Sequence, residues 1–314
     1  KVTNQIEEAV GGADVIMTTT PTNAFDYFAQ ILAPLLEQGQ VLFFNPGQGG
    51  GGLSFHRWLR QYGGPPVRSV ETSSLTYGTR TPEPGKTWIK TEVKNLMTGA
   101  FPSKDTEELV AYVRQLYPVL KPARNVLETT LYDLNAIEHP PGMVCNAGWI
   151  EHTWGGFRFY YEGLTPSVCR VIEDIDEERL EIIRALNRRT GWDIPVKSFP
   201  EIFYEHEYTS VPPTGERGII PAQQAAAPGN KVTKCPATLD DRYMHEDVGY
   251  GLVPIRDIGN ALGVATPYID ALIRIASSLM AQDYFETGIT LEKMGLADIP
   301  VGGWAKFLEE GYSG

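Results

Sequence analysis

The sequence predicts an α/β unit followed by an all-helical one. Short apolar runs near the amino end, Val15–Thr20 and Gln40–Phe44, alternate with amphipathic helical stretches across short connections, the signature of a parallel sheet covered by helices. Beyond about Asn125 helical patterns follow one another without strands. Thr165-Pro166 and Thr266-Pro267 each supply an N-cap residue followed by a proline at the first helical position, the start signal of a long helix. The expected join lies at Arg124-Asn125, which divides the chain into residues 1–124 and 125–314.

In order, Asn4–Val10 reads as a short helix, and Val15-Ile16-Met17-Thr18-Thr19-Thr20 as a strand buried on both faces. Such a strand is expected to continue a sheet begun earlier, so the sequence is expected to start inside a domain. Pro21 ends it, and Asn23–Leu36 follows as an amphipathic helix. Gln40–Phe44 is a second strand stopped by Asn45-Pro46-Gly47, and Leu53–Tyr62 is helical. Val67–Thr72, Leu75–Arg80 and Lys86–Lys90 read as further strands, the last two separated by a turn at Pro82-Glu83-Pro84-Gly85. Asp105–Leu116 is a helix with Ser103 as its expected cap. Asn125–Ile137 and Pro141–Ala147 are helices expected to flank a break at His139-Pro140. The helix begun at Pro166 runs to about Asn187, and Ile269–Met280 follows the second Thr-Pro signal. Between Pro212 and Pro236 the composition turns to Pro, Gly, Ala, Gln and Thr, a long surface excursion.

Composition narrows the function. Across 314 residues, 42% are hydrophobic and 21% charged, ordinary for a soluble globular protein and wrong for disorder. A net charge of -12 argues against nucleic acid or an anionic membrane as partner, and leaves room for a local basic pocket for a small anion. Cys145, Cys169 and Cys235 have no metal-site spacing and leave one unpaired, against a disulfide framework. No apolar run approaches the roughly 18 residues of a membrane span and no signal peptide opens the chain, so a cytoplasmic location is expected.

Several constellations invite a chemical reading. Gly47-Gln48-Gly49-Gly50-Gly51-Gly52 follows a strand and precedes a helix, where backbone amides can face an anion. It lacks the Gly-Lys-Ser/Thr ending of a P-loop, and glycine at nearly every place does not single out the dinucleotide fingerprint. A flexible turn and a ligand-facing loop both stay open. One helical turn separates Asn135 from His139, so they share a face, and a histidine beside a proline break is placed to enter a cleft or to cap helical carbonyls. Asp240–Asp247 is the densest charged run, usually a solvated face; Arg242 and Asp247 stand five apart and need not pair, and its adjacent acids do not suit a metal. His56, His152 and His206 lack companions at a suggestive spacing and are expected at the surface or boundary. The acidic stretch Glu173–Glu181 is expected to face solvent, and the serines lack the hydrolase elbow.

With these segments in view the chain resembles the opine dehydrogenases, the octopine dehydrogenase family. The resemblance is carried, in order, by Gly12-Ala13-Asp14-Val15-Ile16, Asn45-Pro46-Gly47, Glu71-Thr72-Ser73-Ser74, Asn135-Ala136-Ile137-Glu138-His139-Pro140 and Asn146-Ala147-Gly148. It continues in Tyr161-Glu162-Gly163-Leu164-Thr165-Pro166-Ser167-Val168, Arg242-Tyr243 with Glu246-Asp247-Val248, Gly251-Leu252-Val253-Pro254 and Thr290-Leu291-Glu292-Lys293-Met294-Gly295-Leu296. The resemblance implies a Rossmann domain for NAD or NADP followed by a helical substrate domain, and the reductive joining of an amino acid to a 2-oxo acid such as pyruvate through an imine. It places His139 on the family's catalytic histidine, Asp247 on the carboxylate holding it, Arg242 on the arginine gripping a substrate carboxylate, and Asn135 on the asparagine facing the same cleft. A homodimer is compatible with it.

These roles cohere physically. A free imidazole titrates near about 6.5, a carboxylate fixes its tautomer, and guanidinium offers a planar fork to a carboxylate. Family members begin with a strand and a Gly-x-Gly-x-x-Gly turn for the pyrophosphate. Ahead of Asp14 only the tail of that half-domain is legible, so a fragment is expected. Thr20, Pro21, Asn45 and Gly47, which follow strand ends, are the remaining expected cofactor contacts. Two rivals stand beside this reading: another two-domain NAD(P)-dependent dehydrogenase of the ketopantoate or 3-hydroxy acid type, and a truncated, non-catalytic amino-acid-binding relative.

Overall fold

A computed structural model describes residues 1–213, 219 and 231–312. The strand β2 (Val41–Phe44) is buried along its whole length, and the alternation of its side chains sets the layers around it. Leu42 and Phe44 join a cluster with α1 (Ile6–Val10), α2 (Phe25–Leu32) and α3 (Gly51–Gln61) on one face. Val41 and Phe43 join Val70 and the buried face of α4 (Thr106–Val113) on the other. Burial on both faces is why β2 reads as unbroken apolar sequence.

The sheet order is β1-β2-β3-β6-β7, with β1 (Val15–Thr18), β2 and β3 (Arg68–Thr72) mutually parallel. β6 (Leu96–Phe101) runs antiparallel to β3, and β7 (Leu120–Pro122) runs parallel to β6. Neither β6 nor β7 was legible in the sequence. Gly99 and Ala100 dilute β6, and β7 is too short for periodicity. The other two expected strands leave the sheet altogether. β4 (Tyr77–Glu83) and β5 (Lys86–Glu92) form a separate antiparallel hairpin.

The helical part follows: α5 (Val126–Leu131), α6 (Leu134–Val144), α7 (Ala147–Thr153), α8 (Pro166–Thr190), α9 (Phe199–Glu205), α10 (Arg242–Asp247), α11 (Val253–Leu262), α12 (Pro267–Met280), α13 (Tyr284–Thr287) and α14 (Val301–Glu310). Most of the surrounding apolar side chains belong to one continuous core. Much of the Pro212–Pro236 excursion lies outside the described residues.

Several local expectations are corrected. The break expected at His139-Pro140 falls instead at Tyr132-Asp133, where the Asp133 side chain accepts from Asn135 N and starts α6. That helix then runs through both prolines. Each proline deletes one backbone hydrogen bond, and burial of almost every residue from Leu134 to Met143 holds the helix regardless. Ser103 opens a single turn ahead of α4 and makes no cap bond. Thr165 caps α8 as expected, but Thr266 makes no cap bond, and the Glu178 carboxylate accepts from Tyr268 N and Ile269 N in its place. Asp176, Glu178 and Arg179 are therefore buried rather than solvated, with Arg179 bonded to Asp176 and to the Leu131 and Lys197 carbonyls. His56 and His206 are buried too, each held to about 4 by burial, and His56 Nε2 meets Ser69 Oγ at 2.8 Å.

The glycine-rich stretch resolves into neither of its two expected forms. Gly47–Gly52 is buried and packed between the sheet and the helices. Gly49 has φ +61°, and a Cβ there would lie 1.6 Å from the Tyr250 carbonyl oxygen. A Cβ on Gly47 or Gly52 would fall 2.3 Å from Glu71 Oε2. The acceptor at this helix start is thus the protein's own side chain: Glu71 Oε2 accepts from Gly52 N at 3.1 Å. Its Oε1 lies 2.6 Å from Thr129 Oγ1, which also lies 2.9 Å from the Val126 carbonyl oxygen. The threonine hydroxyl has one proton for two acceptors, so a protonated Glu71 satisfies both contacts. Burial pushes this carboxyl up to about 8, in agreement.

Because the folded value lies above the ordinary 4.5, folding takes up a proton between 4.5 and about 8. The contribution to stability is complete below the lower value and is lost as pH rises through the upper one. Glu71→Gln keeps the same donor and acceptor pattern without titrating. Its urea-unfolding free energy is expected to fall less than the wild type's between pH 5 and pH 8.5, and equal slopes would refute the protonated assignment.

Candidate active site

Helices α6 and α10 touch face to face, and the site is built at that contact. His139 projects from the middle of α6 and Asp247 from the end of α10. Their side chains are 3% and 2% exposed, and His139 Nδ1 lies 2.7 Å from Asp247 Oδ2. Nδ1–H donating to the carboxylate leaves Nε2 as the working nitrogen. The imidazole stacks on the Tyr243 ring with centroids 3.7 Å apart and planes 10° apart. Nε2 lies 2.9 Å from the Tyr160 hydroxyl, which is 3.1 Å from the Tyr243 hydroxyl. Arg80, from the hairpin, reaches Tyr243 Oη at 3.4 Å.

The second carboxylate oxygen is held from the sheet unit. Gln48, the single side chain other than hydrogen within Gly47–Gly52, donates from Nε2 to Asp247 Oδ1 at 2.5 Å. Neighbouring acids adjust to this crowding. Burial raises Asp133 well above the usual carboxylate range, and the charges of Asp247 and Glu246 raise it further. Burial raises Glu246 as well, followed by the charge of Asp247, although Glu246 accepts from Thr22 N and pairs with Arg242 at 3.3 Å. Arg242 thus pairs one turn along α10 rather than with Asp247, and the expected solvated face of Asp240–Asp247 is in fact half interior.

His139 opens onto a cavity of about 300 Å³ between α6, α9, α10 and the β4–β5 hairpin. Asn135, Arg242 and His139 line it together, with Arg80 and Lys90 contributed by the hairpin. Lys90 is bonded to Thr233, and burial with the charge of Arg80 beside it holds its amine down to about 8. The chain's charge is -12, yet this cavity collects Arg80, Lys90 and Arg242 against Glu138. The local field suits a small anion.

The family model for the "NAD/NADP octopine/nopaline dehydrogenase, alpha-helical domain" matches residues 122–280. An opine dehydrogenase of Arthrobacter sp. (strain 1C) is 35% identical over 303 residues, spanning 96% of this chain and 80% of its own. The chain belongs to the octopine/nopaline dehydrogenase family. A tauropine dehydrogenase of Arabella iricolor is 25% identical over 91% of this chain and 76% of its own. In structure, an octopine dehydrogenase solved with NADH and L-arginine superposes with a TM-score of 0.75 at 19% identity, covering 99% of this chain and 81% of that one. The family's chemistry, NAD(P)-dependent oxidation and reduction at a CH–NH bond, is the chain's chemistry. The readings as a ketopantoate-type enzyme or a non-catalytic binder fall away.

An octopine/nopaline dehydrogenase needs a cofactor cleft beside this cavity, and open parallel sheets bind ligands beyond the carboxyl ends of their strands. Just past the ends of β1 and β3, the buried hydroxyls Thr22 Oγ1 and Ser73 Oγ have no hydrogen-bond partner among the described residues. Such free groups fit a polar ligand there. Thr20 Oγ1 is 2.9 Å from Thr18 Oγ1, and Pro21 is exposed. Asn45, by contrast, spends its amide on Thr72 and Thr76, and Gly47 is closed off by Glu71.

Tyr160, Tyr243, Gln48, Arg80 and Lys90 are site residues that sequence reasoning missed. A lone glutamine among glycines was the one available signal; the tyrosines and the hairpin cations carry no spacing that marks them. Gln48→Ala leaves Asp247 Oδ1 buried without that donor. It is expected to cost about 1–3 kcal/mol of stability in denaturant unfolding, and an unchanged midpoint would show that the contact contributes nothing.

Proposed function

We propose that the chain reductively condenses the amino group of an amino acid with a small 2-oxo acid such as pyruvate, through an imine, and runs the reverse oxidation. The observation that carries this reading is the His139–Asp247 contact at the floor of a cavity that also holds Arg242. His139 is the acid–base group. Asp247 fixes its tautomer and steadies the imidazolium, and Arg242 offers a planar fork to a substrate carboxylate. Asn135, one turn before His139, presents its amide to the same substrate.

NAD or NADP supplies or accepts the hydride when bound. Thr20 and Pro21 would hold it at the end of β1, and Asn45 and Gly47 would border it at the end of β2. The division of labour largely follows chain order, residues 1–124 for cofactor and 125–314 for substrate, with Arg80 and Lys90 of the hairpin reaching into the substrate cavity. Three unpaired cysteines suit a reducing, cytoplasmic setting.

In the holoenzyme, oxidation of NAD(P)H is expected only when amine and 2-oxo acid are both present. Turnover with the oxo acid alone would favour a plain keto-acid reductase. His139→Ala is expected to lower kcat by about 10²–10⁴-fold, and a wild-type kcat would remove His139 from the chemistry. Arg242→Lys retains charge and loses the fork. It is expected to raise KM for the carboxylate substrate more than it lowers kcat, and unchanged constants would reassign the arginine.

A further inference from the structure

We propose that Tyr160 is a catalytic residue, the hydroxyl through which protons pass between His139 and the substrate nitrogen. The proposal rests on the acid–base reading of His139 given above and adds the group in contact with the substrate. With Nδ1 committed to Asp247, Nε2 is the only ring nitrogen left for proton exchange, and the Tyr160 hydroxyl stands 2.9 Å from it. The His139 side chain is 3% exposed, so water has scant direct access to it. Tyr160 and Tyr243 both line the cavity beside it.

Tyr160 is held for this position. It lies in a π-helical turn, Phe159–Gly163, a geometry that often re-aims a side chain at functional sites. The hydrogen bonds can be satisfied in one direction along the whole series. Arg80 Nη2 donates to Tyr243 Oη, Tyr243 donates to Tyr160, Tyr160 donates to His139 Nε2, and Nδ1–H donates to Asp247. Burial raises the Tyr160 phenol well above its ordinary value, with the Tyr243 contact adding to it, so the group works as a neutral relay rather than as a phenolate.

In the reductive direction His139 begins as the imidazolium, and its Nε2–H points at Tyr160 oxygen. Hydride reaching the imine carbon pushes the C=N π pair onto nitrogen. That pair takes the Tyr160 proton as Tyr160 takes the one from Nε2. The products are the secondary amine, an intact phenol and neutral imidazole, so one hydride and one proton are consumed. The oxidative direction reverses each transfer.

The test is Tyr160→Phe in the holoenzyme, which keeps the ring and removes the oxygen. The expected result is a fall in kcat of about 10²-fold or more, little change in KM, and a larger solvent deuterium isotope effect because proton transfer becomes limiting. In the protein without cofactor, the NMR resonance of His139 Nε2 should move once its hydrogen-bond partner is gone. A wild-type or increased kcat overturns the relay and makes Tyr160 a plug over the histidine. If Tyr160→Phe does not fold, fluorotyrosine at position 160 keeps the shape and lowers the phenol pKa. A kcat and isotope effect unchanged by fluorination overturn the proposal equally. His139→Ala separates the two claims: loss of turnover there with full turnover in Tyr160→Phe removes Tyr160 alone, whereas full turnover in His139→Ala removes the acid–base reading and the relay together.

Discussion

Asp247 is gripped by both halves of the molecule. One carboxylate oxygen faces His139 on α6, and the other accepts from Gln48 in the glycine loop of the sheet unit. A carboxylate this deeply buried is costly unless both oxygens are bonded. The loop can reach it only because Gly49 adopts a left-handed conformation against the Tyr250 carbonyl, and because Gly47 and Gly52 leave room for Glu71. The His139–Asp247 contact therefore depends on how the glycine loop packs against the helices, and that packing depends on positions with no side chain.

Acidic crowding at the junction is managed by protonation and capping rather than by a matching number of cations. Glu71 is kept neutral beside Thr129, Asp133 is raised beside Asp247, and Glu246 shares itself between Arg242 and Thr22 N. Burial raises all three, and the charge of Asp247 raises Asp133 and Glu246 further. The cations Arg80, Lys90 and Arg242 are left on the cavity wall, a positive patch on a protein whose overall charge is of the opposite sign. Two of the three come from the β4–β5 hairpin, so an appendage outside the main sheet sets much of the cavity's charge.

Much of the candidate site was legible as a motif. Asn135 and His139 sit four apart on a helix, and that spacing alone puts them on one face. Arg242 and Asp247 were found through the resemblance, since a charge run by itself reads as solvent-facing. What stayed hidden was Gln48, Tyr160 and Tyr243. Gln48 meets Asp247 across 199 positions and Tyr160 meets Tyr243 across 83, and contacts at such separation leave no periodic trace. The proline pair misled for a related reason. Local propensity argues for a break after His139, but the core around α6 outweighs the lost backbone bonds, and the histidine stays in mid-helix.

Local sequence by itself determined the strand–helix alternation through Thr72, the face shared by Asn135 and His139, and the cap at Thr165, because each depends on neighbours within one or two turns. Tertiary structure alone decided which acids are raised, where the glycine loop packs, and that the Tyr160 hydroxyl meets the histidine's Nε2. Those properties arise from burial and from the meeting of distant segments, and desolvation is not a quantity that a linear pattern carries.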